Sequence, residues 1–173
     1  MIEIIIGKRG CGKSTLLKNI LDTKENKVII YDFIGEHEGL ICSSIEEVHK
    51  NMNCPIISFR NAREDMFNLL CEYVYERGNV TFAIEEVDCF TSANYCPAFL
   101  SYIIRYGRHK NINLIGITRR PADIPRLLTS QANKLYLFKI SEPRDIEYLQ
   151  KYSRDSLNDM GRLKEYQYQE ITL

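Results

Sequence analysis

The sequence contains no run of about 18 apolar residues, so it offers no candidate membrane-spanning helix. Its first ten residues, MIEIIIGKRG, place no basic stretch ahead of the apolar run and have no small-residue cleavage site. They do not read as a secretory leader. Charge of one sign is also lacking, since 23 Lys+Arg balance 23 Asp+Glu. That excludes a surface that grips nucleic acid by bulk charge alone and leaves room for a local basic patch. None of the six cysteines (Cys11, Cys42, Cys54, Cys71, Cys89, Cys96) forms a CxxC pair, and no histidine stands at zinc-ligand spacing from them. They read as reduced thiols in or near a core, holding no metal, in a cytoplasmic protein. There is no repeat, no low-complexity stretch and no Ser/Gly-rich linker. At 173 residues the chain therefore reads as one domain over residues 1–173, long enough for one core and too short for two.

What is present is an alternation. Strand-length apolar runs are expected at Ile2–Ile6, Val28–Tyr31, Pro55–Phe59, Val80–Ile84, Ile112–Ile117 and Leu135–Ile140, with a last strand at Glu165–Ile171. Segments of helical period lie between them: Lys13–Leu21, Asn61–Arg77, Pro97–Tyr106, Ile124–Ser130 and Pro143–Lys151. Asn61 with Glu64 three residues on has the spacing of a capping box, and Gly78 is a natural stop. Residues 33–53 give no clear pattern. Strands alternating with helices predict a three-layer α/β fold whose mainly parallel central sheet is flanked by helices. In such sheets ligands bind beyond the carboxyl ends of the strands, here just after Ile6, Tyr31, Ile84 and Ile117.

Directly after the first run stands Gly7-Lys8-Arg9-Gly10-Cys11-Gly12-Lys13-Ser14, followed by Thr15. This is GxxxxGK[ST] between a strand and a helix, a phosphate loop. The glycines allow backbone N–H groups to turn inward, and the helix N-terminus adds positive potential. Lys13 is expected to reach the β- and γ-phosphates, Ser14 to ligate Mg²⁺ and Thr15 to touch the α-phosphate. The Val80–Ile84 run ends in Glu85-Glu86. Downstream of a phosphate loop, such a pair completes an NTP-hydrolysing site. Glu85 orients the Mg²⁺ hydration shell, and Glu86 polarises the attacking water as the candidate catalytic base. A carboxylate aimed at water favours an ATPase over a kinase. The absence of a guanine-reading NKxD points to ATP.

Six cations flank the Ile112–Ile117 run: Arg105, Arg108, His109 and Lys110 before it, Arg119 and Arg120 after it. Arginines in such numbers can reach a neighbour's γ-phosphate or hold a phosphate backbone. With the phosphate loop, Ile84-Glu85-Glu86, Gly107-Arg108-His109, Thr118-Arg119-Arg120-Pro121 and Glu142-Pro143-Arg144-Asp145, the chain resembles the FtsK–HerA superfamily of P-loop ATPases over nearly its whole length. Within that superfamily it looks most like the genome-packaging ATPases of tailless, membrane-containing viruses.

The resemblance implies a sheet with the phosphate-loop strand near its centre. It implies a homo-oligomeric ring, with a hexamer as the expected form, pumping double-stranded DNA without sequence preference. It makes Arg108 the finger acting on a neighbouring subunit's nucleotide. Where that family carries a γ-phosphate-sensing Gln, this chain has Thr118-Arg119. That leaves Thr118 in the role or Arg119 touching phosphate directly. Arg60, Arg63, Lys110 and Arg120 are candidate pore cations. A capsid or portal component is an expected partner, met through the folded surface or the tail from Tyr166 to Leu173. A host cytoplasmic or virion-associated location is implied with it. Other readings are a cellular or mobile-element DNA-transfer ATPase of the same type, a nucleotide-gated assembly switch, or a small-molecule kinase.

Overall fold

The computed structural model describes residues 1–153, 156–157 and 159–173. In chain order the elements are β1 (Ile2–Ile6), α1 (Lys13–Leu21), β2 (Lys27–Tyr31), β3 (Leu40–Cys42), α2 (Ile45–Lys50), β4 (Ile56–Phe59), α3 (Glu64–Arg77), β5 (Val80–Ile84), α4 (Ala98–Tyr106), β6 (Ile112–Thr118), α5 (Arg126–Ser130), β7 (Lys134–Phe138), α6 (Pro143–Gln150) and β8 (Tyr168–Thr172). The strands form one sheet in the order β3-β4-β2-β5-β6-β1-β7-β8. Every neighbouring pair is parallel except β7 with β8.

Period two explains why the sheet is buried on both faces. In β1, Ile4 and Ile6 enter one core while Ile5 enters the other. The Ile5 core is closed by Leu16, Leu17 and Leu21 of α1. The opposite core is closed by Phe67, Leu70 and Val74 of α3, Leu100 and Ile103 of α4, and Leu149 of α6. Ile4, Ile5 and Ile6 are fully buried, each contributing about 1.5–3 kcal/mol relative to an exposed position. The three-layer α/β reading therefore holds. β1 lies between β6 and β7, inside the sheet but nearer the β8 edge than the middle, so the expected central position is corrected.

Two local details also depart from expectation. Asn61 does not cap α3, which begins at Glu64 after Arg63. The Asn61 side-chain carbonyl accepts the Arg63 N–H at 3.1 Å, and its amide donates to the Ser43 carbonyl at 3.0 Å. Asn61 is thus satisfied by its own turn, and the acids Glu64 and Asp65 in the first turn meet the helix dipole instead. The stretch 33–53, which showed no pattern, holds β3 and α2. Each is too short to show a period, and Ser44 caps α2 by accepting the Glu47 N–H at 3.3 Å. Gly78 ends α3 as expected, with φ of 62°. A Cβ there would stand 2.7 Å from the Lys110 carbonyl oxygen, so only glycine fits. Phe90 is core, packed against Tyr31, Phe33 and Phe67 at centroid distances of 4.7 to 5.0 Å, while Tyr95 is exposed.

Candidate nucleotide site

Parallel strands end together, so the loops after β1, β2, β5 and β6 meet at one edge of the sheet. They enclose a cleft of about 310 Å³. Arg9, Gly10, Gly12, Lys13, Ser14 and Thr15 come from the first loop, Glu85 and Glu86 from the end of β5, and Arg119 from the end of β6. Glu36, after β2, and Tyr166, before β8, complete the lining.

Gly10 and Gly12 have φ of 75° and 104°, left-handed values that curl the loop. The first turn of α1 carries no acid, so nothing neutralises its positive end. Lys13 is buried, and its Nζ donates to the Lys8 carbonyl at 3.0 Å. Ser14 Oγ lies 3.0 Å from Glu36 Oε2 and 3.4 Å from Glu85 Oε1. A hydroxyl between two carboxylates is a set of hard oxygen donors, which fits a divalent cation such as Mg²⁺.

Gly7, Cys11 and Thr118 do not line this cleft. A Cβ on Gly7 would meet Cys11 Sγ and Phe138 Cβ, both at 2.6 Å. Gly7 and the buried Cys11 therefore serve the packing beneath the loop. Thr118 donates to Asp88 Oδ1 at 2.8 Å and accepts the Arg120 N–H at 3.0 Å. Of Thr118 and Arg119, only Arg119 lines the cleft.

The two acids differ in surroundings. Glu85 is buried, and its Oε1 lies 2.5 Å from His37 Nε2. Burial opposes protonation of His37, but the bond to Glu85 and the charges of Glu85, Asp32 and Glu36 outweigh it and raise its pKa. Glu86 stands at φ 49°, a strained value for a side chain that long. Its Oε1 accepts from Arg119 Nε at 2.7 Å. Burial raises the Glu86 pKa against the opposing pull of Arg119, a condition suited to a general base.

Asp32, Glu36 and His37 were not singled out from sequence. Asp32 is fully buried. It accepts the N–H groups of Gly35, Glu36 and His37 at 3.0, 2.8 and 3.1 Å. It also accepts from Ser58 Oγ at 2.8 Å and pairs with Arg60 Nε at 3.3 Å. This cage fixes the loop that brings Glu36 to Ser14 and His37 to Glu85. The available signal was an acid at the carboxyl end of a strand, where ligand chemistry is expected.

Three of the expected pore cations are paired with acids of their own chain. Arg60 is tied to Asp32, and Arg120 to Asp145 at 3.3 Å. Arg63 pairs with Asp65, and Lys110 sits 4.7 Å from the Tyr75 ring centroid. Arg108 lies before β6. The seven residues of β6 put it roughly 20 Å from the cleft, beyond reach of its own chain's site.

No protein-family model matches the chain, and no curated protein matches its sequence. Solved structures do. The genome-packaging NTPase B204 of Sulfolobus turreted icosahedral virus 2, in complex with sulfate, aligns over 99% of this chain and 90% of its own, at 20% identity and TM-score 0.83. The same protein with AMPPCP aligns at 21% identity and TM-score 0.85, over 99% of this chain and 91% of its own. This chain has the fold of a viral genome-packaging NTPase. The N-terminal domain of zonular occludens toxin from Neisseria meningitidis is also similar, at 14% identity and TM-score 0.57, covering 95% of this chain and 98% of that domain. The resemblance carried by the phosphate loop, the acidic strand end and the arginine segment is thus matched in fold. Among the described residues no helix is long and apolar enough to cross a membrane.

Proposed function

We propose that the protein is an ATP-hydrolysing subunit of a double-stranded DNA translocase, the motor of a viral genome-packaging machine. The observation that carries this reading is the cleft itself. It sets Lys13 and Ser14 of a complete phosphate loop against Glu85 and Glu86, in a fold shared with a packaging NTPase over 99% of the chain.

The residues divide the work. The backbone N–H groups of Gly10–Lys13 and the Lys13 ammonium hold the β- and γ-phosphates. Ser14, Glu85 and Glu36 would hold Mg²⁺, which neutralises developing charge on the phosphates when bound. Water attacks the γ-phosphorus in line, its proton passes to Glu86, and the bond to the β-phosphate oxygen breaks to leave ADP. Arg119 holds the Glu86 carboxylate until an incoming γ-phosphate competes for the guanidinium. His37 and Asp32 keep Glu85 and Glu36 in place. Arg108 acts on the site of the next copy in a homo-oligomeric ring, six copies by preference, so an isolated subunit is nearly inactive. The ring holds DNA through a few cations per subunit, salt-sensitively and without sequence preference. It meets a capsid or portal component through its outer surface, in the host cytoplasm or on the virion.

The test is steady-state ATP hydrolysis against protein concentration, with and without double-stranded DNA. Turnover that rises with both, and collapses in Glu86→Gln and Arg108→Ala, supports the motor. Flat turnover that ignores DNA and survives Arg108→Ala overturns it and leaves a switch or a kinase.

A further inference from the structure

Tyr166 takes no part in the phosphate chemistry, yet it lines the cleft. Residues 164–167 form a turn closed by the Gln167 N–H onto the Lys164 carbonyl at 3.2 Å. The Gln167 side-chain oxygen accepts the Lys164 N–H, also at 3.2 Å. Tyr166 occupies the third position of this turn with φ of 65°. That place, at positive φ, normally belongs to Gly or Asn, and for a bulky side chain it is an outlier. Backbone strain of this kind gathers at ligand-binding positions.

The strain does not serve packing. Tyr166 is 68% exposed, and its hydroxyl has no hydrogen-bond partner among the described residues. Strand β8, directly after the turn, is anchored: the Tyr168 ring packs on Phe138 at 5.3 Å and on Tyr136 at 5.8 Å. The turn is therefore fixed while most of the ring is open to solvent. Its Cδ1 lies 3.1 Å from where a Cβ on Gly12 would stand, so the ring overhangs the start of α1.

Topology says which end of a nucleotide this is. In the order β5-β6-β1-β7-β8, Glu85 and Glu86 arrive from two strands away on one side of β1. Tyr166 arrives from two strands away on the other. The γ-phosphate must lie at the Glu86 end, so the nucleoside leaves toward Tyr166. The remainder of the lining is charged, hydroxylic or glycine and offers a base no flat apolar face. Among the described residues Tyr166 is the only aromatic side chain at the cleft.

We infer that Tyr166 is the platform on which the nucleotide's base stacks. This rests on the nucleotide reading proposed above. The ring closes over the base from the β8 side, where it already lines the cleft. The contact uses the π-face and reads no hydrogen-bonding edge, so it adds affinity for a base without selecting one base by its edge.

Calorimetric titration of ATP and of inorganic tripolyphosphate separates the two ends of the ligand. Tyr166→Ala should weaken ATP about tenfold or more and leave tripolyphosphate unchanged, while Tyr166→Phe should retain ATP affinity. The sequence has no tryptophan, so Tyr166→Trp provides a lone tryptophan whose emission ATP should quench and tripolyphosphate should not. Equal losses for both ligands in Tyr166→Ala, or no loss for ATP, overturn the stacking role while the nucleotide reading stands. A wild type that binds neither ligand overturns both.

Discussion

The two edges of the sheet are built on opposite electrostatic plans. At the carboxyl edge three arginines are paired: Arg119 with Glu86, Arg60 with Asp32, Arg120 with Asp145. His37 joins Glu85 there. At the amino edge, Arg105, Arg108, His109 and Lys134 line a cleft of about 520 Å³ together with the chain's amino terminus. Lys134 pairs with Glu170, but among the described residues neither Arg105 nor Arg108 has an ion-pair partner. At the first edge these polar groups hold one another in place within one chain. The second carries unmatched positive charge over an apolar floor of Ile103, Ile112 and Leu114. A partner bearing phosphate would complete it, as the proposed neighbouring subunit does.

The sharpest way to break this contrast is to remove a charge from each edge. Arg108→Ala should lower kcat by about 10³–10⁵, the range for an arginine finger, with no change in Tm because no pair is lost. Glu86→Gln should lower kcat by about 10²–10⁴ while ATP binding, read by calorimetry, persists. Mixing the two inactive variants should restore part of the activity, since some interfaces then join an intact Glu86 to an intact Arg108. No recovery on mixing would mean that Arg108 does not act across an interface.

Asp32→Ala should reverse the pattern and act first on stability. It strips a buried carboxylate from three N–H groups, Ser58 and Arg60, a loss of about 3 kcal/mol readable in urea denaturation. Turnover should fall as well, because Glu36 and His37 lose their support. A stable Asp32→Ala protein would show that the carboxyl edge does not depend on this cage.

The smallest effect is a pH dependence at Asp145. Burial raises its carboxyl pKa, against the Ala122 N–H bond and Arg120. Folding then favours the protonated form. That contribution is full below the ordinary Asp value and is lost as pH rises through the raised one. Asp145→Asn stays neutral throughout. Its Tm relative to wild type should therefore climb with pH across that acid window and level off above it, as thermal melts would record. A difference independent of pH would remove burial as the governing effect at this pair.

The phosphate loop, the acid pair and most elements were legible because their determinants are local. GKRGCGKS needs only its own glycines and the helix it opens. Ile2–Ile6 needs only branched side chains to read as a strand. The Asn61 cap failed because two bonds, one to Arg63 and one to Ser43, competed with the helix. Glu36, His37 and Tyr166 were illegible for a related reason. His37 meets Glu85 across 48 positions of sequence, and the Tyr166 ring meets the Gly12 backbone only because β8 pairs with β7.

By itself, then, the sequence determined the three-layer plan and the residue types of a phosphate-handling loop, since helix and strand periods and glycine spacing act over a few residues. Only the tertiary structure decided which side chains share the cleft, that Arg119 rather than Thr118 faces it, and that Arg108 stands a strand's length away. Those outcomes come from strand order and from how buried polar groups find partners, and both are settled by contacts between distant parts of the chain.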